Sequence, residues 1–170
     1  MKKIIPALLL VLCLICGIAA AETGAEETAL NWADYEETMK TNLPGKIEEM
    51  ENYTFKYYLP DAFAKEEKEG YEFYYASSDG YAYAAKVTEF EEDALDAYYQ
   101  SLLEDASFAN VVKATVNGYN AVIYKVLGDT PAACCSIEVE GGALMTFYFA
   151  PTATDEDFIF ATALFAGIQQ

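Results

Sequence analysis

The side chains able to do chemistry in this 170-residue chain are narrow in kind: 28 carboxylates, 14 tyrosines, ten lysines and four cysteines, with no histidine. No arginine occurs either. Without imidazole, the catalytic dyads and triads that use it as general base are ruled out, as are metal sites built on it. Carboxylates could work in pairs as acid and base, provided two of them converge in a cleft with separated pKa values. Asp155 with Asp157, and Glu91 with Asp93, have suitable spacing. In so acidic a chain such spacings arise by chance, so the reading is a non-enzymatic protein, with a carboxylate-dependent hydrolase of an extracellular substrate as the alternative. No Gly-x-Ser-x-Gly elbow, glycine-rich phosphate loop or zinc signature occurs. A calcium loop of the Asp-x-Asp-x-Asp-Gly kind is also missing, and Asp79-Gly80 reads as a turn. No cofactor and no metal is expected.

Tyrosine offers binding chemistry instead. Aromatic rings suit strands and interfaces, and exposed rings can stack on a ligand. Tyr57, Tyr58, Tyr74, Tyr81 and Tyr83 fall on the first strands and form a candidate binding face for a protein or a glycan. The plainer reading makes them half-buried strand residues with wetted hydroxyls. Cys134 and Cys135 are adjacent, so in a strand their thiols point to opposite faces. They are expected to be reduced, buried small apolar residues and not a disulfide.

The start of the chain predicts export. Lys2 and Lys3 precede an apolar run, Ile4 to Ile18, interrupted only by Pro6 and Gly17, and Ala19-Ala20-Ala21 offers a signal-peptidase site before Glu22. The apolar core is shorter than the roughly 20 residues a bilayer span needs. Cleavage after Ala21 removes residues 1–21, with Cys13 and Cys16, and leaves a secreted or extracytoplasmic protein with no membrane span. Two lysines leave with that segment and all 28 carboxylates stay, from a starting formal charge of −18. Such a surface repels phosphate backbones, which excludes nucleic acid, and it keeps a monomer soluble. It also admits an acidic inhibitor of a basic protein. Residues 22–30 read as a flexible acidic tether, and residues 31–170 as one α+β domain.

The elements that must position these groups follow from periodicity. Trp32, Tyr35, Met39 and Leu43 give a helical stripe after Asn31, stopped by Pro44-Gly45, with Ile47 and Met50 as a short continuation. Residues 53–59 alternate as a first strand, and Ala64 to Gly70 reads as a charged connection. Asp79-Gly80 joins strands at 71–77 and 81–88. Asn117-Gly118 joins strands at 111–116 and 119–127, and Gly141-Gly142 joins those at 132–139 and 143–150. A helix over about 91–105 opens on the Thr88 and Glu91 capping box, and Thr154 caps a terminal helix with Phe158, Ala161, Phe165 and Ile168 on its buried side. The sum is a largely antiparallel sheet of about seven strands with helices on both faces, a three-layer α/β/α sandwich. A cystatin-like curled sheet, with one face covered, is the structural rival.

This order of elements, with Leu59-Pro60-Asp61, the Asp79-Gly80, Asn117-Gly118 and Gly141-Gly142 turns, and the acidic start of the last helix, resembles small exported bacterial proteins of the PsbP-like and Mog-like sandwich. That is the fold of photosystem II extrinsic proteins and of a Ran-binding protein. The resemblance implies a scaffold and carries no functional motif with it, so the function expected is that of an exported non-enzymatic binding or accessory domain.

Overall fold

The computed structural model describes residues 28–89, 94–139 and 143–169. The expected signal segment, tether residues 22–27, the Glu91 half of the capping box, Asp93 and the Gly141-Gly142 turn lie outside the described residues. Among the described residues ten strands and three helices follow in the order β1 (Thr28–Leu30), α1 (Trp32–Asn42), β2 (Gly45–Glu49), β3 (Lys56–Pro60), β4 (Phe63–Lys65), β5 (Phe73–Ser77), β6 (Ala82–Glu89), α2 (Ala94–Glu104), β7 (Phe108–Val116), β8 (Tyr119–Val126), β9 (Ala132–Val139), β10 (Ala143–Ala150) and α3 (Asp155–Ala166). Eight strands form one sheet in the order β1-β7-β8-β9-β10-β6-β5-β4, and β2 and β3 form a separate ladder. Every pairing in the large sheet is antiparallel except β1 with β7.

Three differences from the sequence reading have simple causes. Thr28–Leu30, read as the end of the tether, is a strand because it pairs in parallel with Ala114 to Val116 and drops Leu30 into the core. Residues 45–49, read as a continuation of the first helix, form β2. Gly45 permits this by its lack of a side chain, since a Cβ there would lie 2.4 Å from the Leu59 carbonyl oxygen. Ala64 and Lys65, read as the start of a connection, belong with Phe63 to β4 on the sheet edge.

Both sheet faces carry helices. On one face Phe73, Tyr75, Tyr83, Ala85, Ile123, Cys135, Ile137, Met145, Phe147 and Phe149 pack against α1, α3 and the β2–β3 ladder. Helix α1 contributes Trp32, Tyr35 and Met39, at the predicted spacing. Helix α3 is buried nearly all round, from Phe160 to Ala166, because α1 and the sheet enclose it. On the other face α2 sets Ala94, Leu95 and Leu102 against Val122, Tyr124, Cys134 and Leu144. A single covered face, as in the cystatin-like alternative, is thereby excluded.

Asn117 fastens these layers. It sits in the left-handed region (φ 48°) that the tight β7–β8 turn needs, with Gly118 following at φ 89°. Its backbone N–H donates to the Leu30 carbonyl at 2.8 Å, and its side-chain oxygen accepts from the Trp32 N–H at 2.7 Å, one of the orphan donors at the start of α1. Its side-chain amide donates to the carbonyls of Ala166, at 2.8 Å, and Ile168, at the end of α3. One turn residue thus joins β1, α1 and α3. At the other end of α3, Thr154 and Asp157 form the reciprocal capping box.

Replacing Asn117 separates its two roles. Asn117→Gly keeps the backbone conformation and should destabilise the domain by about 2–3 kcal/mol through lost partners for buried groups. Asn117→Ala should lose about 1 kcal/mol more through the left-handed backbone. Urea melts of the two variants check both values.

Candidate functional site

Strand alternation and sheet order put a row of side chains across one face. In register from β5 to β8 they are Tyr74, Ala84, Tyr148, Cys134 and Tyr124. Large and small residues alternate, so each ring stands beside a shallow neighbour. At the β8 end, α2 covers the row. Tyr124 is buried there and its hydroxyl meets that of Tyr98 at 2.6 Å, next to the buried Ser136–Thr146 hydroxyl pair at 2.8 Å. At the β5 end Tyr148 and Tyr74 are only half-buried, and Ala76 and Ala82 beside them share that exposure.

The β4–β5 connection turns this open end into a groove of about 540 Å³, lined by residues 65–69 and 71–74. Tyr71 leaves the connection and stands nearly at right angles to Tyr74, with ring centroids 5.5 Å apart and planes 72° apart, and it lies 6.5 Å from the Tyr148 ring. Lys68 places its Nζ 4.2 Å from the Tyr74 centroid and 5.3 Å from that of Tyr71. Lys86 sits 5.2 Å from the Tyr148 ring. A cation over an aromatic face is held by the ring quadrupole.

Lys40, Lys46, Lys56 and Lys113 pair with Glu36, Glu48, Glu49 and Asp96. Among the described residues Lys65, Lys68, Lys86 and Lys125 have no carboxylate within ion-pair distance, although Glu66, Glu67, Glu69 and Glu72 line the groove that holds Lys65 and Lys68. Lys68 and Lys86 rest on tyrosine rings instead.

The five tyrosines read from the sequence as one face do not form one. Tyr57, Tyr58 and Tyr83 are in the core. Tyr57 stacks on Phe73 at 4.1 Å and meets the Tyr75 hydroxyl, and Tyr58 donates to the Leu43 carbonyl at 2.6 Å. Tyr81 stacks on Phe149 and donates to Asp157. Only Tyr74 reaches the groove, where its partners are Tyr71 and Lys68. Period-two alternation could have found part of this, since Tyr74 must point away from the core-facing Phe73 and Tyr75.

Nothing in the site is activated as a nucleophile. Burial pushes the Cys134 thiol up to about 12, and it pushes Cys135 higher still. The two thiols occupy opposite faces of β9, Cys134 under α2 and Cys135 in the larger core, so they cannot bridge. Burial likewise raises the phenols of Tyr124 and Tyr148 well above their usual range. Asp157 is the one buried carboxylate among the described residues, and its oxygens accept from Thr154 and Tyr81, whereas Asp155 is exposed. Among the described residues no three cysteine or carboxylate side chains converge as a metal site would require.

No protein-family model matches the chain, and no curated protein matches it. Among solved structures, cyanobacterial PsbP (CyanoP) from Synechocystis sp. PCC 6803 is similar at a TM-score of 0.51 and 14% identity, over 73% of this chain and 91% of that one. A protein from Bacteroides thetaiotaomicron VPI-5482 is similar at a TM-score of 0.46 and 14% identity, over 68% of this chain and 44% of that one. The first likeness makes the fold PsbP-like.

The buried thiols and phenols set the alkaline limit of stability. Each keeps its proton in the folded chain and loses it on unfolding, so rising pH favours the unfolded state. The contribution is complete below the usual thiol value of 9.0 and declines as pH climbs toward about 12. Urea midpoints measured against pH should be flat up to about pH 8.5 and fall steadily above it. A midpoint unchanged at about pH 11 would contradict the burial assigned here.

Proposed function

We propose that this chain is an exported, non-enzymatic binding domain, and that its ligand is a protein or glycan held in the groove between the β4–β5 connection and the open end of the tyrosine row. The observation that carries this reading is the Tyr71–Tyr74–Tyr148 cluster. It gathers three half-buried rings at the edge of the cover that α2 provides, with Tyr148 packed against the α2 cluster and Tyr71 and Tyr74 outside that cluster. Elsewhere on the molecule, aromatic residues are used in packing, and the carboxylate with the most burial is used in a helix cap. Rings of this kind bury much area with few rotatable bonds, which suits recognition. The charged start and apolar run of residues 1–21 support export, with cleavage after Ala21. Residues 31–170 then act as one domain, a reading supported by the single sheet that both cores share among the described residues.

The groove also favours binding over turnover. Its four glutamates lie on an exposed connection, open to water, where a pair of carboxylates is not held in the desolvated, convergent geometry that acid–base hydrolysis needs.

The test uses the protein immobilised and exposed to the medium of the cells that secrete it. A ligand retained by the unaltered protein should bind Tyr74→Ala at least about tenfold more weakly, the scale of one lost aromatic contact. The melting temperature should change little, because Tyr74 is not a core residue. Equal retention by Tyr74→Ala and Tyr71→Ala would remove the groove from the account.

A further inference from the structure

The groove contains its own cation. Lys68 lies against two ring faces set almost perpendicular, the arrangement in which aromatic side chains receive an ammonium group. It is an exposed residue, next but one to Gly70, whose φ of 83° turns the chain back toward β5. Four glutamates surround it on the same connection, yet it makes no ion pair with any of them among the described residues. The ring corner therefore holds the ammonium in preference to nearby carboxylates. The same glutamates, with the chain's formal charge of −18, raise the local concentration of any other cation that approaches.

We infer that the Tyr71–Tyr74 corner is a receptor for an alkylammonium group, and that Lys68 is an internal occupant which an incoming ligand displaces. This rests on the groove being the binding site. The ligand's ammonium belongs to a lysine side chain of a basic protein partner, and a free quaternary amine is the other source that the titration distinguishes. Both present the same positive, partly apolar head to the rings. Displacement frees Lys68 to swing to Glu66, Glu67, Glu69 or Glu72, so its charge is not left unpaired. Because Lys68 occupies the corner in the unliganded protein, apparent affinity is reduced by the fraction of molecules in which the corner is filled.

The experiment is an NMR titration of the purified protein, tyrosine-labelled, with tetramethylammonium chloride and separately with a short tri-lysine peptide, against sodium chloride at equal ionic strength. Saturable shifts of the Tyr71 and Tyr74 rings with either cation, lost in Tyr74→Leu, are expected. Response to tetramethylammonium alone identifies a free amine as the ligand type, and response to the peptide alone identifies a basic partner. Lys68→Gln should tighten binding about three- to tenfold, the gain from emptying the corner. Lys65→Gln removes the same charge from the same groove without touching the rings, and it should tighten binding by less than about twofold. Equal tightening in the two variants would reduce the effect to general electrostatics and overturn the proposal, as would shifts no larger than those in sodium chloride. If Tyr74→Ala abolishes capture of a natural ligand while neither cation binds, the groove stands and the alkylammonium assignment fails.

Discussion

A short helix on a wide sheet sets how much of one sheet face is covered. Eight strands at about 4.8 Å spacing make a sheet roughly 34 Å across. Helix α2 has 11 residues, which at 1.5 Å each gives a length of about 16 Å. It can shield only part of its face, and it lies on β7 to β10. Val122, Tyr124, Cys134 and Leu144 are dry beneath it, while Tyr74, Ala76, Ala82 and Lys86 on β5 and β6 remain partly open. A groove on that side follows from the mismatch in length.

The opposite face has no such gap, because two helices and a two-stranded ladder share the work. Phe73 and Tyr75 anchor β5 from behind, against Tyr57, so the strand that presents Tyr74 on its front is clamped on its back. Helix α3 reaches that ladder closely. A Cβ on Gly167 would come within 2.6 Å of the Tyr58 Cβ, and the neighbouring chain closes a two-way backbone bridge between Lys56 and Gln169. Asn117 fixes the far corner of the same layer. The groove is thus built on a strand clamped from behind and an exposed connection.

Much of this was legible from local chemistry. Asn117-Gly118 and Asp79-Gly80 stand at the ends of the hairpins they predict, Thr154 caps the last helix, and the two adjacent cysteines part to opposite faces as alternation requires. The short strands β1, β2 and β4 were not legible, since three to five residues carry too little pattern, and the partner of β1 lies far along the sequence in β7. The site was legible only in part. Alternation separates the two faces of a strand, but it does not say which face a helix later covers. Tyr57 and Tyr83 vanish beneath the ladder for that reason, and Tyr71 and Lys68 gain importance from a connection that has no periodicity at all.

Chemical nitration of the native protein with tetranitromethane, read by peptide mass spectrometry, addresses the uneven cover of the sheet most directly. The account predicts rapid modification of Tyr71 and Tyr74, with Tyr57, Tyr58 and Tyr83 modified only after unfolding. Protection of Tyr74 equal to that of Tyr83 would contradict it, because the front of β5 would then be closed and no groove would exist there.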